Sequence, residues 1–110
     1  MGYDLHITRA TDWAENDGRE IPSQEWLELV REDPELSPDP GNGPFAASWA
    51  TAAASEAGWF DWYEGNVYTT NPTKAAVAKM LALAISLAGR VQGDDGETYE
   101  REGDWRDRDL

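Results

Sequence analysis

Apolar and polar residues alternate strictly at the start of the chain. Tyr3, Leu5 and Ile7 fall on one side, and Asp4, His6 and Thr8 on the other. That period of two predicts a β-strand over Tyr3 to Arg9 with one buried face. Residues 10–20 lose the pattern and carry Asp17-Gly18, so they predict a loop with Trp13 as its one large apolar anchor. A helical period begins after Ile21-Pro22, where Trp26, Leu27, Leu29 and Val30 share a face. Ser23 is placed to cap that helix, and Glu25 lies near its positive end. Asp33-Pro34 ends it, because the residue before proline avoids helical geometry. Residues 34–44 hold four of the six prolines and predict a loop.

In the second half, Phe45 to Ala54 reads as a strand. Trp59–Tyr63 and Val67–Thr70 are rich in aromatic and β-branched residues, and Glu64-Gly65-Asn66 between them predicts a hairpin. Asn71-Pro72 reads as a cap followed by proline in the first helical position. Val77, Met80, Leu81, Ala84, Leu87 and Ala88 then form one stripe, with Gly89 as the C-terminal cap. Arg90-Val91-Gln92 starts a strand, Asp94-Asp95-Gly96 turns it, and Glu97-Thr98-Tyr99 continues it. The mixed-charge tail has Trp105 as its one anchor. The order β-α-β-β-β-α-β predicts a single α+β domain over residues 1–110. A mostly antiparallel sheet with two helices packed on one face closes such a chain, and a ferredoxin-like arrangement fits without being required.

Charge changes the picture most. Twenty-two acidic residues oppose nine basic ones, giving a net charge of −13. A field of this sign repels phosphate backbones and anionic lipid, so no nucleic-acid or membrane partner is expected. It attracts a basic protein partner; the plainer account is that the acidity only keeps the protein soluble. There is no Cys, which excludes disulfides and Cys-ligated zinc. No apolar run approaches the length of a membrane span, and no basic-then-apolar leader opens the chain. A cytoplasmic location is expected, and fifteen Ala with seven Arg against two Lys suit a bacterium of high GC content.

Met1-Gly2-Tyr3-Asp4-Leu5-His6-Ile7-Thr8-Arg9-Ala10 at one end and Val91-Gln92-Gly93-Asp94-Asp95-Gly96-Glu97-Thr98-Tyr99 at the other resemble a group of small bacterial proteins. The group's shared features are similar to Ser23-Gln24-Glu25-Trp26-Leu27, the aromatic hairpin from Trp59 to Asn66, and Asn71-Pro72. The resemblance implies no particular activity. By analogy alone, small acidic proteins of this kind are similar to immunity proteins that neutralise bacterial toxins.

Little in the chain points to catalysis. His6 is the one histidine, and Asp4 is spaced to orient its imidazole as in a general base. Asp4 and His6 are therefore the candidate ligand-binding pair, weighed against a histidine packed or hydrogen-bonded under a helix. No serine has a nucleophile-elbow context. Asp94-Asp95-Gly96-Glu97 lacks the acid spacing of a calcium loop and reads as a turn. No catalytic residue, metal or cofactor is expected.

The aromatic hairpin carries the candidate partner surface. Trp59, Asp61 and Tyr63 share one side of their strand, and Phe60 and Trp62 the other. Asp61 resists burial as a lone charge, so its side faces solvent and Phe60 and Trp62 pack inward. Trp59, Asp61, Tyr63 and Glu64, with Asp94 and Asp95, would offer carboxylates and rings to Lys or Arg. A homodimer through the Trp59 hairpin is the alternative use of such a face. Three readings follow: a binding module for a basic partner of the immunity type, a structural or regulatory domain with solubilising acidity, and a small-ligand binder or enzyme centred on His6.

Overall fold

The computed structural model describes residues 3–50 and 57–100. The end of the strand expected through Ala54 and the Trp105 tail lie outside the described residues. The elements run β1 (Asp4–Thr8), α1 (Ser23–Glu32), β2 (Leu36–Pro38), β3 (Ala47–Ala50), β4 (Ala57–Tyr63), β5 (Asn66–Thr70), α2 (Lys74–Ser86), β6 (Arg90–Gly93) and β7 (Thr98–Tyr99). The strands form one sheet in the order β2-β3-β4-β5-β1-β6-β7, and every neighbouring pair is antiparallel. The fold is α+β and mostly sheet, with two α-helices among the described residues. No helix among the described residues is long and apolar enough to cross a membrane.

The core lies on one side of the sheet. Trp62, Val67, Ile7, Val91 and Tyr99 face one another in a single row across five strands. Directly opposed residues of an antiparallel sheet project to the same face. Leu5, Phe60 and Trp49 join this face. Trp26 and Val30 of α1, and Val77, Met80, Leu83 and Ala84 of α2, pack into the same cluster. Lys79 of α2 reaches the end of α1, where its Nζ lies 2.8 Å from Asp33 and 2.9 Å from Glu35.

Several local expectations need correction. The segment 34–44 is more than a loop: Leu36–Pro38 pairs with β3, and Pro40–Asn42 makes a 3-10 turn. Among the described residues β2 is an edge strand with a neighbour on one side only, where proline's missing N–H costs no ladder bond. β7 is the continuation expected at Glu97 to Tyr99, which the turn folds back to pair with β6 as a separate strand. Ser23 does not cap α1, since Pro22 holds the cap position without a side-chain hydrogen bond. Thr73, one residue beyond Asn71-Pro72, caps α2 by accepting from the Ala76 N–H. Asn71 instead sits at φ +48° and exchanges hydrogen bonds with Tyr3 at the open end of β1.

The end of α2 is the sharpest departure. Ala88, not Gly89, takes the left-handed conformation, at φ +55°, and the Gly89 N–H closes the helix onto the Ala84 carbonyl. Gly89 is glycine because β1 passes so close: a Cβ there would stand 3.0 Å from both Ile7 Cγ2 and the Thr8 carbonyl oxygen. Ala88 is exposed and expected to be strained, because a Cβ is disfavoured in this region. Ala88→Gly should raise stability by about 0.5–1 kcal/mol in urea unfolding, since relief of strain outweighs the added freedom of the unfolded chain. An unchanged or lower midpoint would contradict this account of the helix end.

β1 itself is buried on both faces, not one. Leu5 and Ile7 are fully covered on the core side, while His6 at 6% and Thr8 at 0% exposure are covered on the other. Its outer face lies beneath the loop 10–20. The Trp13 N–H donates to Gln92 Oε1 at 2.9 Å, Gln92 Nε2 donates to the Thr11 carbonyl at 2.7 Å, and Asn66 Nδ2 donates to the Trp13 carbonyl at 2.9 Å. Asn66 of β5 and Gln92 of β6 are therefore occupied in holding the loop down.

Candidate functional site

The outer sheet face collects most of the singled-out residues. Asp61 of β4, Tyr68 of β5, His6 of β1 and Gln92 of β6 stand opposite one another in one row. Asp4 pairs with Thr70 one step along, and Tyr63 pairs with Asn66 at the other side. The two-residue turn Glu64-Gly65, at φ +48° and +88°, sets this register. Residues expected to form a partner patch and residues expected to form a ligand pocket thus lie on a single surface.

Trp59 and Tyr63 are exposed, at 41% and 65%, while Phe60 on the opposite side of β4 is fully buried. Trp62 is partly covered, donates its indole N–H to the Ile21 carbonyl and packs edge-on to Phe45. Trp13, Trp26, Trp49 and Trp62 all donate their indole N–H groups within the protein. Trp59 has no such acceptor among the described residues; its ring meets Tyr68 edge-on at 5.5 Å.

Among the described residues, a pair of clefts on this face shares Tyr68. One, of about 430 Å3, is lined by Asp4, His6, Trp13, Asn16, Tyr63 and Glu64, among others. The second, of about 400 Å3, is lined by Asp39, Asn42, Ser48, Trp59 and Asp61. The 3-10 turn thus flanks Trp59 without sealing it. Burial, and after it the carboxylates of Asp61 and Asp4 and the Tyr63 hydroxyl, push the Tyr68 phenol above its ordinary value. Tyr68 therefore keeps its proton at neutral pH, in a place where negative charge converges.

His6 lies under the loop and not under a helix. Its ring stacks on Trp13 with centroids 3.7 Å apart and planes 6° from parallel. Asp94, not Asp4, is its carboxylate partner: His6 Nε2 and Asp94 Oδ1 are 2.9 Å apart. Asp94 Oδ2 accepts from the Asp4 N–H at 2.9 Å, and Asp4 Oδ1 accepts from the Thr70 hydroxyl at 2.7 Å. The arrangement fixes the imidazole plane, both oxygens of Asp94 and one oxygen of Asp4.

Asp95 lines neither cleft. It sits exposed in the β6–β7 turn, where Gly96 at φ +85° donates to the Gly93 carbonyl. Glu97 turns back to receive hydrogen bonds from the Tyr3 and Tyr99 hydroxyls. Burial first, and then the Glu97 charge, push the Tyr99 phenol far up. Trp13, Tyr68, Asn16 and Asn66 join the site without having been singled out for it. Trp13's isolation in a polar loop is the one signal that marked any of them.

Comparison of the chain with protein-family models, curated proteins and solved structures finds no match.

Proposed function

We propose that this protein is a binding module that takes basic side chains of a protein partner onto the outer face of its sheet. The observation that carries the reading is the exposed pair Trp59 and Tyr63 flanking Asp61, with a cleft on each side of Tyr68. An Arg or Lys side chain entering either cleft would meet carboxylate oxygen and an aromatic ring together. The net charge of −13 would speed encounter with such a partner. An immunity-type protein that neutralises a basic bacterial toxin is a role of this kind. A second copy of the chain would bring the same sign of charge to the face, so charge favours a basic partner over a homodimer. The same field disfavours nucleic acid. For the fold, the order β4-β5-β1-β6, with a helix after β1 and another after β5, supports reading those four strands as a ferredoxin-like core with β2, β3 and β7 added.

Calorimetric titration with a short Arg-rich peptide tests the reading. Affinity should fall steeply as salt rises. Trp59→Ala should weaken it by about tenfold or more, as loss of an aromatic anchor does, with little change in thermal midpoint. Equal affinity for the variant, or binding indifferent to salt, would count against it.

A second reading, a small-ligand site at His6, is favoured by one observation: the single histidine lines the larger of the two clefts.

A further inference from the structure

Asp4, His6 and Asp94 come from opposite ends of the sequence. β1 pairs with β6 in the register Leu5↔Gly93, which sets Asp94 beside the start of β1. Each of the three offers a donor atom, and these atoms all lie within 4.8 Å of one another. We propose that they form a binding site for a first-row divalent transition ion of the Zn2+ class, at the edge of the larger cleft.

The geometry of the cluster and its surroundings supports this. The 2.9 Å separation of His6 Nε2 and Asp94 Oδ1 needs to open only to the roughly 3.3 Å between neighbouring tetrahedral ligands at 2.0–2.1 Å from a shared metal. The Asp4 carboxylate, within 4.8 Å of both, would turn inward to complete a three-ligand set. Asp4 Oδ2 has no hydrogen-bond partner among the described residues. The outer shell is already built: the Thr70 hydroxyl holds Asp4 Oδ1, the Asp4 N–H holds Asp94 Oδ2, and the Trp13 ring fixes the imidazole plane. Such supporting contacts orient metal ligands and raise affinity.

The cleft beside Asp4 and His6 leaves room for water or an external ligand to complete the coordination. One imidazole with two carboxylates suits Zn2+, Mn2+ or Co2+ better than Mg2+ or Ca2+, which prefer oxygen throughout. The ion would replace the His6–Asp94 hydrogen bond and offset two negative charges. This differs from the calcium loop considered for Asp94 to Glu97, because it uses Asp94 with residues of β1 and leaves Asp95 and Glu97 out.

The test is calorimetric titration of chelator-treated, tag-free protein with Zn2+, and with Ca2+ as control. Co2+ absorption serves as a second readout of ligand type. The expected result is one Zn2+ per chain with Ca2+ binding far weaker, and a Co2+ spectrum that reports a nitrogen ligand. Asp94→Asn should weaken Zn2+ at least tenfold, and His6→Gln should do the same. His6 is buried, so His6→Gln is scored only if its circular dichroism matches the parent; Asp94, which is part exposed, keeps the test decisive. Trp59→Ala should leave Zn2+ binding unchanged, which separates this site from the peptide-binding surface. Zn2+ that binds no more tightly than Ca2+, or equally to the parent and Asp94→Asn, would overturn the proposal.

Discussion

Trp26→Ala should destabilise the protein by about 3–5 kcal/mol, the usual cost of deleting a large buried aromatic side chain. Trp26 has no exposed surface and belongs, with Val30 one turn on, to the core cluster beneath the sheet. Its indole N–H donates to the Phe45 carbonyl at 2.8 Å, so the variant loses packing and also leaves a carbonyl without its donor. Domains of this size have total stabilities of about 5–15 kcal/mol. The thermal midpoint should therefore drop by roughly 12–25 °C. Trp59→Ala, at a residue 41% exposed, should shift it by only a few degrees. Urea denaturation of both variants checks the contrast. Equal losses would mean that Trp59 is structural, and the surface reading of the aromatic hairpin would fail with it.

Lys79→Met should cost about 2 kcal/mol at neutral pH, less than the loss of one partner from a fully buried pair. The methylene stem is kept, so the cost is electrostatic. Lys79 and Asp33 are 13% and 15% exposed at their side chains, and removing the ammonium leaves the Asp33 carboxylate largely covered without its cation. Burial alone would raise the Asp33 carboxyl. The Lys79 hydrogen bond, the Glu35 N–H and the Lys79 charge together outweigh burial and hold it below its ordinary 3.8. A carboxyl depressed in the folded state stabilises the fold above its unfolded pKa and loses that contribution as pH falls through the folded value. The gap between the parent and Lys79→Met should thus be widest from pH 6 to 8 and close below about pH 4. Stability curves at several pH values measure it. A gap of constant size would show that packing, not the ion pair, sets the cost.

Periodicity made the hairpin, both helices and the loop around Trp13 legible, because each depends on local spacing. Even the side of β4 that faces inward followed from the reluctance of Asp61 to be buried. The misses came from contacts distant in sequence. Alternation in β1 spoke for one buried face, yet burial of the second is set by a loop whose landing place no local pattern records. Asn71 and Ser23 looked like helix caps by type; pairing with Tyr3 claims Asn71, and Pro22 holds the other cap position. Gly89 looked like a cap by convention, whereas it answers to the close passage of Ile7 and Thr8. His6 and Asp94 were both singled out, for different purposes. Only the β1–β6 register places them 2.9 Å apart. The strand at Leu36–Pro38 escaped notice because proline argues against a strand except at an edge, and edges are a property of the sheet.

The most direct measurement is a two-dimensional NMR titration of the isotope-labelled protein with an Arg-rich peptide at low and high salt. The prediction is that shifts concentrate at the Trp59 indole N–H and at the backbone of Asp61, Tyr63, Glu64 and Tyr68, and fade as salt rises. Small shifts spread evenly over the acidic residues, with the Trp59 indole unmoved, would contradict the existence of a defined grip on the outer face.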